Sequence, residues 1–308
     1  MPIPSHALEA LRAAFGARLL IDEPLARHTS ARIGGPADAF LAASSLEDLR
    51  TAARLAWDHG VPLHVLGGGS NILISDRGVR GLVVHNRTDR MQFSVDLIRA
   101  NSGAGTMALA RRCASRGLAG LEWAIGVPGT LGGAVYGNAG AHGSDMKAIV
   151  SAVEVITPQG EAVLNGADLG FEYRSSLLKR AGHDAVILDV LLALTPDDPA
   201  AIRARADEFN AYRKRTQPPG ATIGSTFKNP PGDFAGRLID AAGLKGTRVG
   251  GAQISDIHAN FFLNVQNARA ADVLALVDRA REAVLRQFGV TLELEIELVG
   301  EWDRPAEK

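Results

Sequence analysis

The sequence predicts an α+β protein with more than one domain. Three observations carry that reading. Short Val-, Ile- and Leu-rich runs alternate with amphipathic helical patterns; glycine crowds residues 67–69 and 100–145; and a Pro- and Gly-rich stretch near 215–233 precedes a segment with its own helices, strands and apolar pattern. At 308 residues, the chain has room for two domains or three small ones, at roughly 100 to 200 residues each. The best boundary lies near residues 210–218.

Leu8, Leu11 and Phe15 recur at helical spacing after Ser5, which predicts an opening helix with Ser5 as its N-cap. Ser45 stands three residues before Asp48, and Leu46, Leu49, Ala53 and Leu55 or Ala56 share one face before Gly60 and Pro62, so a helix with both ends marked follows. LHVL, ILI and LVVH at 63–85 read as strands around a tight glycine loop. From residue 149, IVSAVEVI, the turn TPQG and EAVL suggest a hairpin, and AVILDVLLAL a buried strand. Ile202, Ala206, Phe209 and Arg213 are in helical register after TPDDP. RTQPPGATIGSTFKNPPGD is either a linker or a functional loop. Beyond it come a helix (FAGRLIDAAG), a strand (NFFLNV), a long helix over 271–288 and a last strand, TLELEIEL.

Apolar residues make up 46% and aromatics 5%, the composition of a globular protein with an aliphatic interior. Lys plus Arg total 33 against 34 Asp plus Glu, so no global charge draws the chain to nucleic acid or anionic lipid. Cys113 is the only cysteine, which excludes an intramolecular disulfide, a Cys-x-x-Cys pair and a multi-thiolate metal site. The N-terminus lacks a basic region before an apolar run, and the longest apolar stretch is half a membrane span and carries Asp189. A soluble, cytoplasmic protein without metal is expected.

The GGGSNIL loop could hold an anion on its backbone N–H groups, or could be a structural hairpin; its spacing fits neither a Rossmann fingerprint nor a P-loop. GVPGTLGGAVYGNAGAHG shifts the balance. It adds backbone donors, the Thr130 hydroxyl and the Asn138 amide, with no acidic residue before Asp145. Such a lining suits an extended acidic ligand with a flat ring, such as a dinucleotide. A segment so rich in glycine loses much backbone entropy on ordering, so a ligand is expected to help order it.

HTSARIGGPAD, LGGGSNIL, GVPGTLGGAVYGNAGAHG, YRSS, GSTFKNP, LIDAAGLKG and HANFFLN follow one another in the order found in the UDP-N-acetylenolpyruvoylglucosamine reductase (MurB) family, and LELEIELVG resembles that family's closing strand. The resemblance spans residues 28–301. It implies an FAD-binding domain of the vanillyl-alcohol oxidase type in two lobes, at 1–85 and 86–212, and an α+β substrate-binding domain at 213–308. It also implies NADPH as reductant, UDP-N-acetylglucosamine enolpyruvate as substrate, UDP-N-acetylmuramate as product, and a monomer or weak oligomer. The short spacing from Arg174 to Ser225 resembles the subtype without an inserted, tyrosine-bearing loop. Alternatives are an FAD oxidase of the same domain type and a non-catalytic UDP-sugar-binding protein. The absence of a covalent-flavin motif argues against the first, and the presence of Ser225 and Glu295 against the second.

By the same resemblance, Arg174 binds the substrate carboxylate, Ser225 protonates the enol carbon and Glu295 stands beside Arg174. Read alone, Arg174 could be a surface arginine, Ser225 a turn-closing serine and Glu295 one charge on an edge strand; Glu293 and Glu297 are the internal controls for the last. Flavin contacts are implied for Arg32, Ile33, Leu66, Gly67, Gly68, Gly69, Ser70, Asn71, Leu73, Gly126, Pro128, Gly129, Thr130, Gly132 and Gly133. Substrate contacts are implied for Tyr173, Arg213, Lys228, Asn229, Gln253 and His258, the last of which suits a capped or solvent-facing histidine equally well. His142 stands where the family often has an aromatic residue.

Overall fold

The computed structural model describes residues 3–182 and 184–302. It divides into two compact units. The first takes in the chain up to Ile21, Ala39–Gly68 and Gly81–Arg213; the second takes in Asp22–Asp38, Gly69–Arg80 and the chain from Lys214.

In the first unit the opening helix is Ser5–Phe15, burying Ala7, Leu11 and Phe15. Ser5 is its first helical residue rather than its cap. Pro4 takes the capping position with extended ψ and no side-chain hydrogen bond, its ring presetting φ for helix entry. The helix Leu46–Asp58 is capped as its sequence predicts: Ser45 Oγ accepts from the Asp48 N–H at 3.1 Å. Its buried face is Leu49, Ala52, Ala53 and Ala56. Arg18 pairs with Asp48 through both guanidinium nitrogens, at 2.9 and 3.0 Å, and this hydrogen bonding holds the carboxyl below its usual range.

Leu19–Pro24, Pro36–Ala43, Val79–Asn86 and Leu63–Leu66 lie in that order in a four-stranded sheet, the last two parallel. The boundary between the units falls within the first three of these strands. A five-stranded antiparallel sheet has the order Gly160–Asn165, Val150–Thr157, Val186–Ala193, Leu97–Asn101, Met91–Phe93. Its central strand carries the charge that interrupts the longest apolar run. Asp189 accepts from Asn101 Nδ2 at 2.6 Å and lies 3.6 Å from Arg99, so the buried carboxylate is paired. The helix Pro199–Thr216 buries Ile202 and Ala206.

The second unit has an antiparallel sheet in the order Thr222–Ser225, Phe261–Asn264, Ala252–Ile254, Arg248–Val249. Its core also takes in Val273, Leu276, Val277, Ala280 and Val284 of the helix Ala270–Phe288. The Pro- and Gly-rich stretch is therefore not a linker, because its middle is an edge strand. The closing segment is less regular than its alternation predicts. Only Glu297–Val299 is a strand, parallel to Ile72–Ile74. The cause is a change of partner: Glu293 and Glu295 hydrogen-bond Lys228 and Thr226, whereas Glu297 donates to Asn71 O at 2.9 Å. The alternation still sorts side chains, with Leu292 and Ile296 buried and Glu293 exposed.

Candidate active site

In the first unit, Leu63–Leu66 delivers Gly67 and Gly68 against the second glycine loop. A Cβ on Gly67 would lie 2.3 Å from Thr130 Oγ1, and one on Gly68 3.0 Å from Gly129 Cα. At Gly67 a Cβ would collide with the Thr130 hydroxyl and at Gly68 with the Gly129 backbone, so the loops approach this closely because both positions lack a side chain. A cradle of this kind, neutral and without side chains, suits the diphosphate and flat ring of FAD.

The donors are fewer than the sequence suggests. The N–H groups of Leu131 and Gly132 go to Ala104 O and Ser102 O at 2.8 and 2.7 Å, so Gly132 contributes closeness rather than a free donor. A Cβ there would meet Ser102 Cβ at 2.9 Å. Gly133 is exposed, and its N–H has no main-chain acceptor among the described residues. Asn138 is structural: its amide donates to Asp145 and to Glu172 O and accepts from the Lys147 N–H.

Arg213, expected at the substrate, belongs to the first unit. Its Cδ lies 3.2 Å from the position of a Gly126 Cβ, and burial lowers its pKa. Among the described residues no carboxylate pairs with it. The His142 ring stacks on Phe209 at 4.1 Å, 7° from parallel, and meets the edge of Tyr212 at 5.6 Å. A stacked imidazole thus does the packing work of an aromatic ring.

Arg174 has φ +56, a left-handed conformation that costs a non-glycine residue roughly 1 kcal/mol. Reciprocal hydrogen bonds between Glu172 and Ser175 hold the turn, and Arg174 donates to Gly140 O at 3.0 Å. Ser176 anchors it further, donating to Tyr136 O at 2.7 Å. A strained residue held on all sides marks a position where geometry matters. Tyr173 is exposed, its ring 5.1 Å from the Arg174 guanidinium.

In the second unit, Arg32 also has positive φ, at +55, and is exposed. Ile33 and Leu73 are core residues, and both main-chain polar groups of Ile33 bond Thr29 Oγ1. Leu66, in the first unit, is buried too. The side chains of all three are packed in the interior. Gly69 has φ +58, and a Cβ there would meet His28 O at 2.4 Å. Its carbonyl accepts from the Ser30 N–H at 2.9 Å, and Ser70 O lies 3.4 Å from a Cβ on Gly224.

Ser225 ends the strand Thr222–Ser225 opposite Phe261, beyond a register shift. Such an irregularity re-aims a side chain. Glu295 is half-buried; its N–H bonds Thr226 O at 2.9 Å, and its carbonyl accepts from Asn71 Nδ2 at 3.0 Å. Ser225 and Glu295 therefore lie on adjacent, hydrogen-bonded stretches. Lys228 pairs with exposed Glu293 at 3.2 Å, so that carboxylate has a partner. Asn229 Oδ1 accepts from the Ala235 N–H at 3.1 Å at the start of the helix Ala235–Ala241.

Gln253 is buried, accepting from Arg248 Nε and donating to Asp256, both at 2.9 Å. These two bonds order the sheet edge. His258 Nδ1 accepts from the Asn260 N–H at 3.2 Å, which assigns the proton to Nε2. Burial, then Lys245, pushes its pKa down. Sequence reasoning missed Asn260. It is buried and bonds both main-chain groups of Phe227, and its only signal was its place in HANFFLN.

Residues 216–299 match the family of the UDP-N-acetylenolpyruvoylglucosamine reductase C-terminal domain, and residues 37–164 the FAD binding domain family. The UDP-N-acetylenolpyruvoylglucosamine reductase of Rubrobacter xylanophilus is 45% identical over 91% of this chain and 95% of its own. That of Halalkalibacterium halodurans is 41% identical over 96% of this chain and 98% of its own. The crystal structure of the Thermus caldophilus enzyme covers 91% of this chain and 98% of its own, at 37% identity and a TM-score of 0.78. With that identity sustained across nearly the whole length, and with an FAD-binding domain and a reductase C-terminal domain both present, the chain belongs to the UDP-N-acetylenolpyruvoylglucosamine reductase family.

Proposed function

We propose that Arg174, Ser225 and Glu295 carry the chemistry of this reductase. The enzyme converts UDP-N-acetylglucosamine enolpyruvate to UDP-N-acetylmuramate with FAD and NADPH, a step in making peptidoglycan precursors. FAD, held by the two glycine loops, would supply the redox chemistry that links NADPH to the enolpyruvyl double bond.

Addition at one carbon of that bond leaves negative charge that spreads into the adjacent carboxylate. The Arg174 guanidinium, with planar paired donors, binds the carboxylate and stabilises this enolate-like state. Glu295 supplies a carboxyl to the same group. The Ser225 hydroxyl then gives its proton to the neighbouring carbon and regains one from solvent, so two electrons and two hydrogens are added overall. Lys228, Asn229 and His258 bind the UDP-sugar, the last with a neutral imidazole donating through Nε2. Gly67, Gly68, Gly69, Ser70, Asn71, Gly126, Pro128, Gly129, Thr130 and Gly133 supply the bare loops for FAD, and Arg32 a cation beside it.

The hydrogen-bonded ladder that keeps Ser225 and Glu295 on adjacent stretches supports this assignment most directly. Among the described residues no helix is long and apolar enough to cross a membrane. A cytoplasmic enzyme, monomeric or weakly associated, fits the substrate class. Under anaerobic conditions the yellow flavin band of the purified protein should bleach with NADPH and return on adding the enolpyruvyl sugar. Ser225→Ala should keep the first change and slow the second; equal slowing of both would refute the assignment.

A further inference from the structure

The ladder between Thr222–Ser225 and Phe261–Asn264 ends at the pair Ser225–Phe261. Beyond it the partner chain turns away, the Phe261 N–H bonding His258 O at 2.9 Å, yet the stretch carrying Ser225 stays fully bonded through Lys228. The Thr226 N–H goes to Asn260 O at 2.8 Å. The Phe227 N–H goes to Asn260 Oδ1 at 2.9 Å, and Asn260 Nδ2 donates to Phe227 O at 2.8 Å. From the other side, Glu295 donates to Thr226 O and Lys228 donates to Glu293 O, both at 2.9 Å. The Asn260 carboxamide thus replaces the missing strand residue, and no main-chain polar group from the Thr226 N–H to the Lys228 N–H lacks a partner.

We infer that Asn260 is a positioning residue for proton delivery, an inference that rests on Ser225 being the donor. Its main chain holds Thr226 and its side chain holds Phe227, so it carries the pairing two residues past Ser225, on the side opposite the bonds from the closing segment that bears Glu295. The geometry requires an acceptor and a donor at the tip of a short side chain. Aspartate provides both only when protonated, and leucine neither. Asn260 is 4% exposed and Phe227 fully buried, so water cannot stand in for the amide. Loosening this clamp lets Ser225 drift, and a displacement near 1 Å can cost on the order of 100-fold in rate.

The test uses holoenzyme, measuring flavin reduction by NADPH and reoxidation by the enolpyruvyl sugar separately across pH, with Tm in parallel. Asn260→Asp should reduce at the wild-type rate and reoxidise about 100-fold more slowly at alkaline pH. Relative to wild type, reoxidation should recover as pH falls, because the protonated acid again donates to Phe227 O. Asn260→Ala should be slow at every pH. If that variant does not fold, the pH profile of Asn260→Asp decides alone. Ser225→Ala combined with Asn260→Asp should be no slower than Ser225→Ala. Equal slowing of both half-reactions, a pH-independent defect, or loss of FAD or fold in Asn260→Asp at acid pH would overturn the inference. Wild-type reoxidation in Ser225→Ala would instead overturn the role of Ser225.

Discussion

The glycine seam of the first unit and the clamped strand of the second solve opposite problems. At Gly67 and Gly68 the site is made by leaving side chains out, so that one loop can approach the Thr130 hydroxyl and the Gly129 backbone of the other. From Ser225 to Lys228 it is made by adding hydrogen bonds on both sides, so that one short stretch cannot move. The first kind of site is broken by adding atoms and the second by removing them.

The largest effects should come from the clamped strand. Ser225→Ala should slow flavin reoxidation by at least about 100-fold and leave reduction by NADPH alone. Glu295→Gln should follow it closely, as stopped-flow traces of the two half-reactions would record. A Glu295→Gln enzyme with normal reoxidation would separate the two neighbours and remove Glu295 from the chemistry.

Glycines of both units should respond in proportion to what a new methyl group meets, Gly69 of the second unit more than Gly67 of the seam. In Gly69→Ala it meets the His28 carbonyl at a left-handed position, where nothing can rotate away. A cost of about 1 to 3 kcal/mol is expected, visible as a lower Tm and weaker FAD retention. Gly67→Ala meets only the Thr130 hydroxyl, so it should be milder and largely rescued by Thr130→Ala. Failure of that rescue would mean that Gly67 serves conformation rather than closeness.

Smaller still is Glu293→Gln. It removes an exposed partner of Lys228, whose pair is worth at most about 1 kcal/mol, so KM for the enolpyruvyl sugar should change no more than a few-fold while kcat holds. A large fall in kcat would show that the charge next to Glu295 belongs to the reaction.

Smallest is a pH effect shared by the units. Burial lowers the pKa of both His258 and His142; Lys245 adds to the first and Arg213 to the second, while Glu208 opposes the shift at His142. The native protein then binds fewer protons than the unfolded chain. The stabilisation is complete above the unfolded histidine value of about 6.5 and is lost as pH falls below it. Tm should drop by a few degrees at most between pH 7.5 and 5.5. His258→Gln should flatten the profile more than His142→Phe, since His142 is the more exposed ring.

Much of this was legible in the residues. Ser45 three before Asp48 marked a helix start and a real cap, because capping is local and needs only two residues in register. Leu292 and Ile296 fell on the buried side because alternation survives even where strand pairing does not. The Asn138 amide was misread as a ligand donor because its partners, Asp145, Lys147 and Glu172, are set by how two loops pack. The partners of Gln253, Arg248 and Asp256, are likewise set only by how the sheet edge packs.

The sequence by itself determined the class of chemistry. Clustered glycines specify a backbone-built cradle, and the motif series carrying Arg174, Ser225 and Glu295 supplies a cation, a hydroxyl and a carboxyl, because residue type fixes what a group can donate, accept or leave room for. Only the tertiary structure decided which groups remain available. A hydrogen-bonding group engaged by a distant neighbour looks the same in sequence as one turned toward a ligand, and the pairing of Asn260 with Phe227, 33 positions apart, exists only after the sheet has formed.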